Sequence, residues 1–366
     1  MQDNAVKQIV PPAAAPAAPL KGPRPSPPGV FFDSDMGANI DAVLALALLY
    51  GSYAKVKVIG VSVGNSNLQA AKFCDAMGRF YAGASQTVPG KSQYYSPVGV
   101  SENVRRLPDV AMLAKPLALQ SPEGMPVFAN DVKDINDTAD VPIVLRNALL
   151  TQKPHEGVIV TAGPATNLVR ALAAVGNKDY VASNTSVLVA ALGSFPDGPA
   201  DPRVKADVAA ARRLFADWPA PIVAVGQELG AALPYPGATI DADFAWSPHN
   251  PVAEAYKAFR PMPYDASTQA MAAALYAVGV ASDSKDEFFR LSEPGTIEVS
   301  DDGRTKFVPS ASGRHRYLIA QPSSKEVIIT AYRALASAKP APPPQRGPRP
   351  PQQAQANAAA VPPQQP

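Results

Sequence analysis

The chain has 366 residues, of which 46% are hydrophobic, with a formal net charge of +2 at pH 7 and a single cysteine. The near-neutral charge argues against nucleic acid as a partner, and the lone Cys74 excludes an internal disulfide framework and a cysteine-based metal site. The sequence has no apolar run long enough to predict a membrane span, and it leaves both the compartment and a homo-oligomeric state open.

Proline is concentrated at the two ends of the chain. Residues 1–29 carry 8 prolines and residues 339–366 carry 10, out of 41 in the whole chain. Such Pro/Ala/Gln-rich segments lack the side chains that build a core and are typical of disordered or polyproline-like tails. We therefore predict one ordered domain over residues 30–338, between disordered tails at 1–29 and 339–366.

Short apolar runs alternate with helical periodicity along the predicted domain, which favours βαβ units around a mostly parallel sheet. The strands are predicted at 30–33, 56–63, 157–162, 186–192 and 221–226, and the helices at 41–50, 68–81, 141–150, after GPATN (163–167), at 205–215 and at 267–280. Residues 83–139 are predicted to be irregular, with at most one short helix. Residues 295–308 predict a β-hairpin with Asp302 and Gly303 at its turn. The predicted fold class is α/β, with an open, mostly parallel central sheet flanked by helices and a late β-hairpin.

Polar or glycine-rich groups follow four of the predicted strands. They are Asp33 to Asp35, Gly64 and Asn65, Thr161 to Gly163, and Leu192 to Ser194. Because the carboxyl ends of parallel strands share one edge of a sheet, these groups predict a ligand site there. Asp35, Asp265 and a carbonyl near Ala162 are candidate ligands for a hard cation such as Ca²⁺, whose bound water would be acidic enough to lose a proton to an aspartate.

Structural roles for the same residues stay open. Asp33 and Asp35 could cap the turn into the following helix, and Asp41 could stabilise the helix N-terminus through the macrodipole. The three histidines share no metal-ligand spacing, and we expect His155 and His315 at the surface.

Four segments occur in the order in which a known enzyme family carries its motifs. They are FDSDMGANIDAVLALALLYG, IVTAGPATNLVRAL, PYDASTQAMAAALYAV and FFRLSEPGTIEVSDDGR. Together they resemble the inosine-uridine preferring nucleoside hydrolases, in particular a bacterial subgroup, over about residues 30–336. The resemblance implies that fold, and hydrolysis of the N-glycosidic bond of nucleosides with Ca²⁺ held at the strand edge.

The resemblance also implies a role for individual residues. Asp35 would be a calcium ligand and the catalytic base toward water, with Asp265 and the carbonyl of Ala162, or less favoured Thr161, as further ligands. The other implied site residues are Asp41 and Asn65 at the ribose, Asp201 and Arg203 in the sugar motif, Tyr264 before the late aspartate, and Asp33 and Asn167 orienting the loops behind the site.

The chain departs from the family pattern at three places. Aligned without a gap, a second aspartate that ligates calcium bidentately in the family falls on Ala42, which weakens the predicted calcium site. A one-residue shift would instead move Asp41 into that role and away from the ribose. Tyr264 stands where many members have a histidine that acts on the leaving base. The Glu-aromatic-Asn sugar motif falls on Asp201 and, two residues later, Arg203, which could bind a phosphate or carboxylate or fill the pocket.

Two functions therefore lead, and a purely structural or interaction module, which the Pro-rich tails suggest, is a third. The first is a nucleoside-hydrolase-like N-glycosidase in which calcium-activated water cleaves the ribosyl C–N bond of a nucleoside. The alternative is a catalytically impaired nucleoside- or sugar-binding protein of the same fold, in which the missing carboxylate has abolished metal activation. In both, the partner is a small nucleoside or ribosyl compound.

Overall fold

A computed structural model describes residues 27–64, 67–82, 96–101, 108–284, 287–321 and 324–340. Most of the two predicted tails and the predicted ribose contact Asn65 lie outside these ranges. Within them, no helix combines the length and the apolar character that crossing a membrane requires.

One mixed sheet runs through the described residues. Its strands are β1 (Gly29–Ser34), β2 (Lys57–Val63), β3 (Val98–Val100), β4 (Gly157–Ala162), β5 (Thr185–Ala190), β6 (Ile222–Ala224), β7 (Phe289–Leu291), β8 (Gly295–Val299), β9 (Thr305–Pro309) and β10 (His315–Ala320). Their order is β3-β2-β1-β4-β5-β6-β10-β8-β9, with β7 paired to β10. The pairs from β3 to β10 along this order are parallel, whereas β8 and β9 form the antiparallel hairpin. This confirms the predicted α/β class, the mostly parallel sheet and the late hairpin.

Helices flank the sheet. They are α1 (Ile40–Gly51), α2 (Leu68–Tyr81), α3 (Ala111–Ala118), α4 (Val141–Leu150), α5 (Thr166–Ala173), α6 (Asn177–Asn184), α7 (Pro202–Ala206), α8 (Val208–Asp217), α9 (Gln227–Ala232), α10 (Ile240–Asp243), α11 (Pro251–Phe259), α12 (Gln269–Ala281) and α13 (Lys325–Ala336). The helices predicted at 68–81 and 141–150 have the predicted bounds, and those predicted at 41–50 and 267–280 differ by one or two residues at an end.

The sheet is covered on both faces, which explains why β1 is a continuous apolar run. Val30 and Phe32 belong to one core cluster, and Phe31, between them, belongs to the other. Alternate side chains of a strand point to opposite faces, so a strand buried on both sides has no polar face. The helix α1 is apolar all round for the same reason, because it packs against α11, α12 and α13.

The structure contains elements that were not predicted, namely β7, β10, α6, α9, α10, α11 and α13, and it differs from the predicted elements in two further places. The segment predicted to be irregular contains β3, which pairs with the edge of β2 in parallel. The helix predicted at 205–215 is divided into α7 and α8 at Asp207. The Asp207 carboxylate accepts hydrogen bonds from Ala210 N (2.9 Å) and Thr166 Oγ1 (2.7 Å), so it caps α8 and fixes a new helix start inside an apparently continuous helical pattern.

His315, expected at the surface, is instead buried in β10, whereas His155 is exposed. Its Nδ1 accepts a hydrogen bond from Ile297 N at 3.0 Å. Burial, with a smaller contribution from the nearby Arg314 charge, lowers the pKa of His315 to about 4.

The low pKa of His315 predicts a stability change with pH. The unfolded chain takes up this proton near the ordinary histidine pKa of about 6.5, whereas the folded chain resists it until about pH 4. The contribution of His315 to the free energy of unfolding should therefore be fully present above pH 6.5 and should decrease as the pH drops toward 4. Urea unfolding across this pH range should give a steeper loss for the wild type than for His315→Asn, while His155→Asn provides the surface control. Parallel profiles for the wild type and His315→Asn would contradict the prediction.

Candidate functional site

The centre of the candidate site is the carboxyl edge of β1 and its two neighbours. In the sheet register, Asp33 lies beside Ser62 of β2 and Thr161 of β4. Its carboxylate accepts hydrogen bonds from Ser62 Oγ (2.6 Å), Thr161 Oγ1 (2.9 Å) and Asn167 Nδ2 (2.8 Å). Asn167 Nδ2 also donates to the carbonyl of Val63 at 3.0 Å. Parallel pairing thus brings residues more than a hundred positions apart onto one buried carboxylate.

The Asp33 side chain is fully buried, and burial raises its pKa even though the three donors oppose that rise. All its contacts are with protein groups that hold the ends of β1, β2 and β4 together. The resemblance implies that Asp33 and Asn167 orient the site, and that role stays a prediction.

Gly163 allows the end of β4 to approach the end of β1. A Cβ atom at this position would lie 2.6 Å from the backbone nitrogen of Asp35 and 2.8 Å from the carbonyl carbon of Ser34. Both are backbone atoms, so a side chain here could be accommodated only by separating the strand ends.

We expect Gly163→Ala to displace Asp35 and to lower the free energy of unfolding by about 1–3 kcal/mol, as overpacking does elsewhere. Gly64 is a milder case for comparison, because a Cβ atom there would lie 3.3 Å from its nearest atom, the carbonyl oxygen of Ser34. Thermal unfolding of the two alanine variants should show the larger loss at Gly163. Equal losses would contradict the close approach.

Asp35 lies just beyond the end of β1, at the start of the turn into α1. Its carbonyl accepts a hydrogen bond from Ala38 N at 2.9 Å, and Gly37 supplies the positive φ of +105° that the turn requires. Among the described residues its buried Oδ1 has no hydrogen-bond partner, and Arg203 Nε lies 3.9 Å from it. Burial raises the pKa of Asp35, and the Arg203 charge only partly offsets this.

Asp41 is turned toward the start of α12. Its two carboxylate oxygens accept hydrogen bonds from Ala270 N (2.6 Å) and Met271 N (3.1 Å), and Arg203 Nη2 lies 3.6 Å from Oδ2. Burial raises the pKa of Asp41 to about 6, against the opposing effects of Arg203 and the two amides. Asp41 therefore caps a helix that is 229 residues away along the chain.

Arg203 connects these carboxylates. Its side chain is only 9% exposed, and its guanidinium donates from Nη1 to Gln269 Oε1 at 2.5 Å. Burial disfavours its charge, but the carboxylates of Asp35, Asp41 and Asp201 outweigh burial and raise the pKa of Arg203. The guanidinium is thus a buried cation held among acidic groups.

The Asp201 carboxylate binds the backbone nitrogen of Arg203. It caps α7 by accepting hydrogen bonds from Arg203 N (2.7 Å) and Val204 N (3.4 Å), and it also accepts from Gly193 N (3.1 Å) and Gln269 Nε2 (3.0 Å). Asp201 is 1% exposed. Its oxygens are therefore committed to protein donors.

The remaining predicted site residues have hydrogen-bond partners or burial of their own. Asp265 is exposed, and its Oδ1 accepts from Gly237 N at 2.9 Å. The Tyr264 hydroxyl donates to the carbonyl of Tyr256 at 2.7 Å, and the two rings stack at 4.4 Å. Burial raises the pKa of Tyr264 above its ordinary value, which makes it a weaker proton donor. Ala162 is buried at the end of β4.

The residues around Asp35 do not fit a calcium ion. Calcium takes six to eight oxygen ligands, but both Asp41 oxygens already accept backbone hydrogen bonds and Ala42 supplies none. A guanidinium nitrogen lies 3.9 Å from Asp35 and another lies 3.6 Å from Asp41. Over the ranges that the structure describes, no group of three or more His, Cys, Asp or Glu residues could hold a metal ion. These contacts argue against the calcium site that the resemblance implies, and a calcium titration would test its occupancy.

Sequence reasoning missed Ser62 and Gln269. The Gln269 side chain contacts Arg203 and Asp201 and also donates to the carbonyl of Val225 at 2.9 Å. The available signal was a polar residue at the start of an otherwise apolar, Ala-rich helix. Ser62 gave a weaker signal, because a single serine in a buried strand has no local pattern that identifies its partner.

The comparisons with known proteins agree with this geometry at the level of the fold. No family model matches the sequence, and no curated protein is significantly similar to it. A plant nucleoside hydrolase superposes with a TM-score of 0.63 at 19% identity, covering 85% of this chain and 99% of the plant one. The inosine-uridine preferring nucleoside hydrolase from Bacillus anthracis gives a TM-score of 0.57 at 17% identity, with coverage of 85% and 99%.

This chain has the nucleoside hydrolase fold. A type III effector protein that was crystallised with adenosine diphosphate ribose also superposes, with a TM-score of 0.56 at 13% identity and coverage of 85% and 94%. The nucleoside hydrolase fold predicted from the four motifs is therefore confirmed. At these identities the likeness establishes architecture, and the chemistry has to be argued from the residues above.

Proposed function

We propose that this chain binds a nucleoside or a related ribosyl compound at the carboxyl edge of β1, with Asp35 and Arg203 contacting a sugar hydroxyl. The observation that carries the proposal is a pair of buried polar atoms, Asp35 Oδ1 and Arg203 Nε, which lie 3.9 Å apart and have no hydrogen-bond partner within the part of the chain that the structure describes. Buried polar atoms without partners are uncommon in folded proteins, and each one needs an explanation, such as a water molecule or a ligand that completes its hydrogen bonding.

A hydroxyl group satisfies both atoms at once. It can donate its proton to the Asp35 carboxylate while its oxygen accepts from the Arg203 N–H, since a hydroxyl is both donor and acceptor. A separation of 3.9 Å is short enough for one oxygen to lie at normal hydrogen-bond distance from both atoms. Proteins of this fold include nucleoside hydrolases and the effector crystallised with adenosine diphosphate ribose, which supports a ribosyl compound as the class of ligand.

Calorimetric titration with inosine, uridine, adenosine diphosphate ribose and free ribose tests this proposal. We expect saturable binding of at least one ribosyl compound and a loss of about 10- to 100-fold in affinity in Asp35→Ala, the effect of removing a hydrogen bond to a charged group. Asp217→Ala, at an exposed position at the end of α8, is the matched control. Absence of saturable binding for all four compounds, or equal affinity in wild type and Asp35→Ala, would overturn the proposal.

Hydrolysis of the ribosyl C–N bond is the second candidate, favoured by the same free Asp35 oxygen. An unpartnered buried carboxylate oxygen can accept a proton from a water molecule as that water attacks the anomeric carbon, and burial makes Asp35 a stronger base than an exposed aspartate. The C–N bond then breaks, and its electron pair leaves with the base, which takes a proton from solvent. Tyr264 is poorly suited to supply that proton, because its hydroxyl already donates to Tyr256.

Release of reducing sugar from inosine and uridine separates the two candidates. A hydrolase should show turnover that is lost in Asp35→Ala and kept in Asp217→Ala. Saturable binding without sugar release in the wild type would exclude hydrolysis of these nucleosides and leave the binding function.

A further inference from the structure

The Arg203 guanidinium occupies an unusual position for an arginine. It is nine-tenths buried, and its Nη1 is held by Gln269. It also lies close to the carboxylates of Asp35 and Asp41, which are far from Arg203 along the chain. Arg203 sits in the first turn of α7, where the Asp201 side chain caps its backbone nitrogen. The position of the guanidinium is therefore fixed from both the backbone and the side-chain end.

The carboxylates around Arg203 require a compensating positive charge. Asp35, Asp41 and Asp201 all act on Arg203 electrostatically, and of these Asp35 and Asp41 come from the two ends of the same turn. Buried carboxylates that are near one another repel and need a compensating positive charge. Within the described residues, Arg203 is the cation paired with Asp35 and Asp41.

We propose that the Arg203 guanidinium is the resident cation of this site and holds Asp35 and Asp41 together in place of a divalent metal ion. Two features of the sequence fit this exchange. Ala42 removes the carboxylate that the resemblance assigns to calcium, and the arginine supplies a fixed positive charge with N–H donors that match carboxylates. The proposal concerns the cation and not the ligand, so it can fail while ribosyl binding stands.

Calcium itself is the probe. Calorimetry and thermal unfolding of the full chain, in CaCl₂ and in EDTA, should show no calcium binding at this site and no calcium-dependent shift in Tm for the wild type. Arg203→Met removes the charge and leaves the carboxylates facing one another. Its Tm in EDTA should fall well below that of the wild type. Arg203→Lys keeps a positive charge, so its Tm should fall less than that of Arg203→Met.

Two results would overturn the proposal. One is a calcium-dependent rise in the Tm of the wild type that disappears in Asp35→Ala, which would show a metal ion bound beside the arginine. The other is a folded Arg203→Met variant whose Tm in EDTA equals that of the wild type, which would show that Asp35 and Asp41 need no compensating charge. If Arg203→Met does not fold, the comparison between wild type and Asp35→Ala still decides, since the proposal requires no calcium effect in either protein.

Discussion

Asp33→Ala should lower the free energy of unfolding by about 3 kcal/mol or more. The substitution leaves Ser62, Thr161 and Asn167 as donors facing a buried apolar methyl group, and each unsatisfied buried donor costs about 1–3 kcal/mol. Part of this cost is offset because the variant no longer buries a carboxylate, and burial disfavours the charged form of Asp33. Urea unfolding followed by circular dichroism measures the change.

Two further variants show whether the hydrogen bonds are responsible. Asp33→Asn keeps the shape and one acceptor oxygen, so we expect a smaller loss than in Asp33→Ala. Asp301→Ala, at a side chain that is 96% exposed and paired with Arg212, should change stability by less than about 1 kcal/mol. A loss in Asp33→Ala no larger than that in Asp301→Ala would contradict the structural role of Asp33.

Arg203→Met should lower the free energy of unfolding by about 3–5 kcal/mol in the absence of divalent cations, the range found when one partner of a buried ion pair is removed. Asp35 and Asp41 then remain as buried carboxylates without a compensating charge, and Gln269 loses its donor. Chemical unfolding in EDTA measures the effect. Much of the loss should come from the carboxylates, so Asp35→Ala introduced into Arg203→Met should recover part of it.

Arg212→Met is the matched control for Arg203→Met. Arg212 also pairs with an aspartate, Asp301, at 2.7 Å, but both side chains are exposed, at 44% and 96%. Exposed pairs contribute about 0–1 kcal/mol, so the control should remain close to wild type. A similar decrease in the free energy of unfolding in both variants would mean that burial does not determine the effect of removing Arg203.

The strand β1 and the helix α1 could be predicted from local sequence because their pattern follows from burial. A strand covered on both faces has to be apolar throughout, and a helix packed between other helices has to be apolar all round. The break at Asp207 and the short strand β3 were not predictable in this way. Their positions depend on partners, Thr166 for Asp207 and the edge of β2 for β3.

The same distinction applies to Asp41. The sequence predicts its place at the start of α1, and stabilisation of that helix N-terminus is one interpretation of the residue. The structure instead directs its carboxylate to the start of α12, because the two helices pack side by side and α12 has no side-chain cap of its own. His315 is a further example, since a lone histidine in a short strand carries no sign of the layer that covers it.

The sequence by itself determined the fold class, the order of the main elements and the edge of the sheet at which the acidic residues gather. Each of these depends on periodicity or on the shared direction of parallel strands, which are properties of the chain alone. Only the tertiary structure decided that Asp33 holds three strand ends together, that Asp41 caps a distant helix and that Arg203 lies among the carboxylates. Those contacts join residues from 29 to 230 positions apart, and the strength of a buried charge or hydrogen bond depends on what surrounds it in space.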